Sequence, residues 1–340
     1  MDRKKIVVLG TGGTIAGVSV QISDNLGYAA AQLGVHELLQ TLPGLAQFPR
    51  EVLTEQVAQI DSKDMDFSIW QRILRRCIHW LERDDIQGLV LTHGTDTLEE
   101  TAYFLQSVLS PTKPVVLTCA MRPASSIGAD GPQNLMDALA VAAHPGARGV
   151  VAVCAGTIHG ARDVQKVHTW RLDAFSSGDV GPIGQVVQGT LYLSRNWPKS
   201  SVVLPKPDIK KIAALASWPR VEIVVSYAGA SGATIDALVS PEVAHRVGAA
   251  PVSGLVVAAT GNGSIHHELE AALSRAQAAG VQVVRATRCC LGQVASVKEQ
   301  AIPDSQGLSA VKARVAMMLE LITQPKGSRL GKMTHNETED

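Results

Sequence analysis

Short runs of β-branched and other apolar residues recur along the chain, and each run ends in glycine or polar residues. Most runs are followed by a segment whose apolar residues recur with helical period, so strands alternate with helices. Strands are predicted at residues 6–10, 88–92, 114–119, 149–154, 221–227, 254–260 and 281–286. Because such alternation is typical of parallel sheets, the pattern predicts an α/β fold with a mostly parallel sheet.

Two of the predicted helices have a clear apolar face. The residues of these faces, which we predict to lie in the core, are Met65, Ile69, Trp70, Ile73, Cys77, Trp80 and Leu81 in the first helix and Val311, Val315, Met318, Leu319 and Ile322 in the second. A third helix is predicted to begin at Leu98, because Thr97 and Glu100 have the spacing of a capping box.

A change of composition divides the chain into two domains. Residues 196–220 contain four prolines and four lysines, which interrupt the alternation and are typical of a linker. We predict a larger N-terminal domain at residues 1–200, with helices flanking a mostly parallel sheet, and a linker at 201–219. A smaller, parallel α/β domain is predicted at 220–325, and the polar residues 326–340 are expected to form a flexible tail.

Charge and hydropathy argue against two classes of partner. Of the 340 residues, 31 are Lys or Arg and 31 are Asp or Glu, so the chain lacks the basic excess expected of a protein that binds nucleic acid. The longest uncharged stretch, residues 247–267, is interrupted by proline and glycine and predicts no membrane span. The apolar run at residues 6–9 is too short for a signal peptide, so a cytoplasmic location is expected.

The five cysteines are an odd number and include no CxxC pair. This usage predicts reduced thiols that serve as small buried apolar residues, with neither a disulfide framework nor a zinc ribbon. The chain also lacks the P-loop, GxSxG and HExxH motifs. No metal site is therefore predicted.

Chemistry is expected in the loops after the strands, because ligands of parallel sheets bind beyond the carboxyl ends of the strands. The first such loop, residues 10–17, reads GTGGTIAG. It superficially resembles a dinucleotide-binding loop, but Ile15 stands where that loop requires Gly or Ala. This mismatch argues against a nicotinamide cofactor.

The loop at residues 92–100 reads THGTDTLEE. Thr95 and Asp96 precede the predicted helix N-terminus, where backbone N–H groups accommodate an anion. A threonine hydroxyl becomes a nucleophile beside a base, for which a neutral lysine oriented by Asp96 is a candidate. A polar helix cap is the commoner explanation of a single Thr-Asp-Thr run, but two threonine-bearing glycine loops at strand ends favour a catalytic site.

These two loops resemble the two signatures of bacterial-type L-asparaginases, and their spacing is that of the family. The resemblance covers nearly the whole chain. It continues through IDSKDM at residues 60–65, AMRP at 120–123, ADGP at 129–132, GARDVQK at 160–166 and GNG at 261–263.

The resemblance implies two groups of catalytic residues. Thr14 would be the primary nucleophile that attacks the side-chain amide carbonyl, and Tyr28, on the loop that follows, would help to activate it. Thr95, Asp96 and Lys166 would form a second triad in which Lys166 accepts a proton. How the two threonines divide the steps of the reaction stays open.

The resemblance also implies how the substrate is bound. Backbone donors near Thr95 and Ala120 would hold the oxyanion, while Ser62 and Asp96 would bind the α-carboxylate and α-amino groups. Lys63 stands where many relatives have glutamine, which places a cation beside the α-carboxylate pocket. We expect this departure to change the affinity for substrate, not the reaction.

Two further residues are expected to reach the site of a neighbouring subunit. By resemblance, Asn262 and Glu299 complete the amino-group pocket across the interface of a homotetramer built as a dimer of dimers. The segment before Glu299 contains Cys289, Cys290 and Gly292 where a proline is more usual. A surface glutamate is the alternative interpretation of Glu299.

We therefore expect a cytoplasmic amidohydrolase that converts L-asparagine and water to L-aspartate and ammonia, with no metal or organic cofactor. Alternatives are a glutaminase-asparaginase that also takes L-glutamine, an amidase subunit acting on aminoacyl-tRNA, and a non-catalytic amino-acid-binding protein. The tRNA enzyme would need a basic surface, which the charge balance does not provide. The full set of Thr14, Thr95, Asp96 and Lys166 argues against a protein that has lost the chemistry.

Overall fold

The computed structural model describes residues 4–21, 23–25, 27–198, 208–295 and 301–323. Its strands are β1 (Lys5–Gly12), β2 (Val18–Ser19), β3 (Tyr28–Ala29), β4 (Val52–Ile60), β5 (Ile86–Thr92), β6 (Pro114–Thr118), β7 (Gly149–Cys154), β8 (Thr157–Gly160), β9 (Gln165–Lys166), β10 (Phe175–Ser176), β11 (Gly184–Val187), β12 (Thr190–Leu193), β13 (Arg220–Val225), β14 (Val252–Ala259) and β15 (Gln282–Thr287). Its α-helices are α1 (Val35–Gln40), α2 (Phe67–Leu81), α3 (Leu98–Leu109), α4 (Gly131–Ala143), α5 (Ile209–Ala213), α6 (Ala233–Val239), α7 (Pro241–Arg246), α8 (His267–Ala278) and α9 (Ala310–Thr323).

Two sheets organise these elements. The larger has eight strands in the order β12-β11-β8-β7-β6-β5-β1-β4. Its strands β4, β1, β5, β6 and β7 are parallel, whereas β8, β11 and β12 continue it as antiparallel strands. The smaller sheet, β13-β14-β15, is parallel. The predicted α/β class, with a large mostly parallel sheet and a smaller parallel one, is confirmed.

The central strands of the larger sheet are buried on both faces. In β1, Val7 and Leu9 belong to a core cluster that includes residues of α2, α3 and α9. Ile6 and Val8 point the other way, into a cluster that includes residues of α1 and α4. Because successive side chains of a strand face opposite sides, a strand covered by helices on both sides is apolar throughout.

Helix α9 connects the C-terminal sheet to the N-terminal sheet. Its buried residues Val315 and Met318 lie in one cluster with Val221 and Val256 of the smaller sheet and with Leu105 of α3. Side chains of α9 can therefore reach the N-terminal part of the molecule. Within the described ranges, no helix is long and apolar enough to cross a membrane.

Two elements do not follow from the apolar pattern. β4 lies at the edge of the larger sheet, and its polar residue Glu55 forms an ion pair with Arg76. α5 lies within the predicted linker, where the Asp208 carboxylate accepts hydrogen bonds from two N–H groups of its first turn. The linker and domain boundaries remain predictions, and residues 199–207 and the tail from residue 324 lie outside the described ranges.

The cysteines lie in two environments, and all five have free thiols. Cys77, Cys119 and Cys154 are buried, and burial raises the pKa of the Cys77 thiol to about 12. Cys289 and Cys290 are exposed. The prediction of buried, apolar thiols is therefore right for the first three and wrong for the exposed pair, which lies in the loop after β15.

Candidate active site

The two threonine loops meet because the strands before them are neighbours. β1 and β5 pair in parallel, with Gly10 opposite Thr92, so both loops leave the same edge of the sheet. Gly13 has a φ of 81°, and a Cβ placed on it would overlap the backbone of Gly94. Only glycine provides both this conformation and this close approach. The loops at residues 10–17 and 92–100 are thus in direct backbone contact.

Thr14 begins a 3-10 helix, Thr14–Ala16, immediately after this contact. Its side chain is buried, and its Oγ1 lies 2.7 Å from the Oη of Tyr28, with either atom able to donate. Tyr28 is held on β3, which pairs with β2 so that Tyr28 lies opposite Ser19. The structure therefore joins the first predicted pair, Thr14 and Tyr28, by a hydrogen bond.

Thr95, Asp96 and Lys166 form a second hydrogen-bonded group. Lys166 Nζ donates to Asp96 Oδ1 at 2.6 Å and to Thr95 Oγ1 at 2.8 Å. The Lys166 side chain is 19% exposed and that of Asp96 is 53% exposed, so the carboxylate faces solvent while the lysine is largely enclosed. This geometry places a lysine nitrogen beside a threonine hydroxyl, as a general base requires.

Ser62 connects β4 to the second threonine loop. It begins the 3-10 helix Ser62–Asp64, and its Oγ accepts a hydrogen bond from the backbone N–H of Asp96 at 3.2 Å. Its carbonyl accepts a hydrogen bond from the Thr97 hydroxyl at 2.8 Å. Helix α3 does begin at Leu98, but the predicted capping box is wrong, because the Thr97 side chain makes this tertiary contact and no cap hydrogen bond.

Ala120 lies at the same edge of the sheet, just after β6. It is buried against Ile15 and Ala16, next to Thr14. The Asp130 carboxylate fixes the following turn by accepting hydrogen bonds from the N–H groups of the next two residues, at 2.9 and 3.0 Å. Ala120 is thereby held beside the first threonine loop.

Of the two residues expected to reach a neighbouring subunit, the structure describes only Asn262. Asn262, in the turn after β14, exchanges two hydrogen bonds with the backbone of Ala295, at 2.6 and 3.1 Å. Among the described residues, no hydrogen bond joins Asn262 to Thr14 or Thr95 of the same chain. Glu299 lies outside the described residues.

A buried histidine supports the second loop, and sequence analysis gave it no role. Trp70 Nε1 donates to Thr101 Oγ1 at 2.9 Å, and Thr101 Oγ1 lies 2.9 Å from His93 Nε2. His93 Nδ1 lies 2.7 Å from the carbonyl of Gly94. Because an indole only donates and a carbonyl only accepts, Thr101 donates to Nε2 and the proton of His93 is on Nδ1. The signal available in the sequence was a histidine directly after the predicted strand at residues 88–92.

The His93 side chain should make stability depend on pH. Burial lowers the pKa of His93 to about 4, whereas a histidine in the unfolded chain titrates at about pH 6.5. The neutral His93 therefore contributes fully to the free energy of unfolding above about pH 6.5. This contribution is lost as the pH falls toward 4. In urea unfolding, the advantage of wild type over His93→Gln is expected to shrink by about 2–3 kcal/mol from pH 7.5 to 4.5.

Comparing wild type with His93→Gln isolates the part of the pH dependence that is due to His93. Burial raises the pKa of Glu100 to about 7, which changes stability with pH in the opposite direction, but it does so in both proteins. A difference in unfolding free energy that stays constant across this range would contradict a buried, neutral His93.

A parallel sheet with hydroxyl and lysine side chains gathered at its carboxyl edge is the arrangement of an α/β enzyme. The family model described as "Asparaginase, N-terminal" matches residues 5–199, and that described as "Glutaminase/Asparaginase C-terminal domain" matches residues 220–332. The chain belongs to the asparaginase family.

Individual relatives agree with this membership. The chain is 35% identical over 325 residues to L-asparaginase 2 of Bacillus subtilis, covering 94% of this chain and 83% of that protein. It is 34% identical over 337 residues to a glutaminase-asparaginase of Pseudomonas fluorescens, covering 96% and 89%. Among solved structures, a probable cytoplasmic L-asparaginase from Campylobacter jejuni matches with a TM-score of 0.83 and 36% identity, covering 94% of this chain and 96% of that one.

Proposed function

We propose that the protein hydrolyses the side-chain amide of L-asparagine, giving L-aspartate and ammonia. The observation that carries the proposal is the contact of Lys166 Nζ with Thr95 Oγ1 and Asp96 Oδ1, at 2.8 and 2.6 Å, in a loop that touches the loop of Thr14. Membership of the asparaginase family and the names of the relatives support the substrate class. The proposed enzyme is an amidohydrolase with a threonine nucleophile.

Thr14 acts first in this mechanism. Its oxygen attacks the carbonyl carbon of the amide, and its hydroxyl proton passes to Tyr28 Oη, 2.7 Å away, while the phenol gives its own proton toward the amide nitrogen. The C–N bond breaks as the amide nitrogen takes this proton, and ammonia departs, leaving the side-chain acyl group as an ester of Thr14. Backbone N–H groups near Thr95 and Ala120 stabilise the oxyanion. In the second step, Lys166 in its neutral form takes a proton, through Thr95, from the water that attacks the ester carbonyl. The bond to the Thr14 oxygen then breaks, that oxygen takes the proton back, and L-aspartate is released.

Substrate recognition uses the same edge of the sheet. Ser62 and Asp96 bind the α-carboxylate and α-amino groups of the amino acid. Beside them, Lys63 Nζ forms an ion pair with Asp61 at 2.8 Å, and the Lys63 side chain is 65% exposed. A cation at this position acts on the affinity for the α-carboxylate and not on the reacting amide.

The amino-group pocket is completed by a second subunit in this proposal. Asn262 and Glu299 reach the site of a neighbouring chain, within a homotetramer that is a dimer of dimers. Large apolar side chains that are exposed and available to such an interface include Trp170, Val180, Tyr192 and Leu193. A cytoplasmic location is proposed with it, on the likeness to the probable cytoplasmic L-asparaginase of Campylobacter jejuni.

Ammonia release from amides tests the substrate preference. L-Asparagine is expected to be hydrolysed with a kcat/KM about 10- to 200-fold above that for L-glutamine, because one methylene in a closed pocket is worth about 1–3 kcal/mol. The measurement is coupled detection of ammonia with purified protein, with and without EDTA, and EDTA is expected to leave the rate unchanged.

The same assay separates the alternatives. Similar kcat/KM values for the two amides would instead favour a glutaminase-asparaginase, the name that the Pseudomonas fluorescens relative carries. Binding of L-asparagine in calorimetry without any ammonia release would favour a non-catalytic amino-acid-binding protein.

Subunit exchange tests the shared site. Thr14→Ala and Glu299→Ala proteins are each expected to be inactive, and mixing them under exchange conditions should restore about a quarter of wild-type activity. Random pairing makes half of the dimers mixed, and each mixed dimer has one intact site out of two. If exchange is demonstrated and no activity returns, each site belongs to a single chain.

A further inference from the structure

A lysine of the C-terminal helix is buried under the segment that carries Lys166. Lys312, on α9, is only 2% exposed. Its Nζ donates to the backbone carbonyl of Arg162 at 2.9 Å and to that of Val164. These carbonyls lie four and two residues before Lys166. The buried ammonium group therefore holds the backbone of residues 162–164, which directly precede β9.

Glu99 lies on the other side of this ammonium. It occupies the first turn of α3, three residues after Asp96, and its Oε2 is 3.8 Å from Lys312 Nζ. Burial raises the pKa of Glu99, and the charge of Lys312 and the backbone N–H of Lys166 act against this shift. Glu99 thus links the helix that follows Thr95 and Asp96 to the backbone of Lys166.

Burying the Lys312–Glu99 ion pair costs free energy, so the pair is stable only where its donors and charges are satisfied. An ammonium group has three donors, and two of those of Lys312 are used by the carbonyls while Glu99 supplies the opposite charge. Removing a lysine from water is unfavourable unless its donors and charge are all satisfied, and burial lowers the pKa of Lys312 to about 8. Apolar packing alone would hold α9 against α3 without this cost.

The surrounding charges have other partners. Asp163 pairs with Arg195 at 2.9 Å. His159 lies 2.8 Å from the hydroxyl of Ser177, and burial lowers its pKa to about 4, so it is neutral near pH 7. Glu99 is therefore the ion-pair partner of Lys312 in the described part of the chain.

We infer that Lys312 is a positioning residue for Lys166: with Glu99, it holds residues 162–166 so that Lys166 Nζ meets Thr95 Oγ1 and Asp96 Oδ1. The C-terminal domain then sets the position of the lysine within its own chain, separately from any contribution of Asn262 and Glu299 to a neighbour. The inference rests on the proposed role of Lys166 as proton acceptor.

Lys312→Met keeps the length of the side chain and removes its donors and charge. Its kcat for L-asparagine is expected to fall about 10- to 100-fold, because small misplacements of a catalytic group are costly, while KM changes by less than about threefold. The matched control is Leu319→Ala, which removes a buried side chain two turns further along α9. It should lower Tm while keeping kcat within about twofold of wild type.

A double variant separates positioning from stability. Lys312→Met combined with Glu99→Gln leaves no unpaired buried charge, so Tm is expected to recover. The carbonyls of Arg162 and Val164 still lack their donor, so kcat should stay low. Recovery of kcat together with Tm would overturn the inference and leave Lys312 a stabilising residue only.

Hydrogen–deuterium exchange of the peptide 160–167 gives a readout that needs no activity. Exchange should accelerate at least fivefold in Lys312→Met and stay at the wild-type rate in Leu319→Ala. Unchanged exchange in Lys312→Met would overturn the inference even if kcat falls. A wild-type protein that releases no ammonia from L-asparagine would instead contradict the proposed function, and the exchange result would still decide whether Lys312 holds this segment.

Discussion

Thr14→Val is expected to lower kcat for L-asparagine by at least about a thousandfold, as removal of a nucleophile does in acyl-transfer enzymes. Valine has nearly the shape of threonine, so the buried position after Gly13 stays filled and the fold is retained. Tyr28 loses its hydrogen-bond partner, but it is partly exposed, so water can replace the contact. Substrate affinity, measured by calorimetry, should change little, since the attacking oxygen contributes mainly to the transition state.

The matched control for this variant is Thr11→Val, in the same loop. The Thr11 hydroxyl is buried and donates to the carbonyl of Thr92 at 2.8 Å, so its removal costs about 1–3 kcal/mol of stability through the unsatisfied carbonyl. Its kcat should remain within about tenfold of wild type. If Thr14→Val kept more than a tenth of wild-type kcat, Thr14 would not be the nucleophile.

Lys166→Met is expected to lower kcat by about 10²- to 10⁴-fold, the usual effect of losing a positioned proton acceptor. The protein should stay folded, because the Asp96 carboxylate that loses its partner is 53% exposed and remains hydrated. Steady-state ammonia release gives kcat and KM, and circular dichroism confirms the fold.

Lys63→Met is the matched control for the charge. Lys63 also pairs with an aspartate beside the same pocket, at 2.8 Å, so both variants remove one lysine charge from this edge of the sheet. The Lys63 variant should change KM more than kcat, whereas the Lys166 variant should do the reverse. A normal kcat in Lys166→Met would reduce Lys166 to an ion-pair partner of Asp96.

The strands that position the site could be predicted because they are buried on both faces. β1, β5, β6 and β7 are continuous apolar runs, and their predicted positions agree with the structure to within two residues. β4 could not be found in this way, because an edge strand has one free side and tolerates polar residues such as Glu55. β4 matters for the site because Ser62 lies two residues after the end of this strand.

Local sequence reveals some side chains of the site but not others. Thr14 and Thr95 could be predicted because they lie in glycine-bearing loops at strand ends. Lys166 is 70 residues away from Asp96 along the chain, and only the resemblance to a family pointed to it. Lys312 left a signal that was not used: it lies three residues before Val315, on the apolar face of α9, where a lysine needs partners.

The contact between Gly13 and Gly94 restricts how this protein can be redesigned. With no room for a single carbon between the two loops, neither loop can be reshaped without rebuilding the other, and random libraries that vary either glycine will consist mostly of misfolded proteins. Variation is more accessible around this contact: residues of β2 and β3 beside Tyr28 can be changed to alter amide preference, and Lys63 can be changed to alter the affinity for the α-carboxylate. A search for activity on a new amide should therefore keep Gly13 and Gly94 fixed and vary residues around the contact between the two loops.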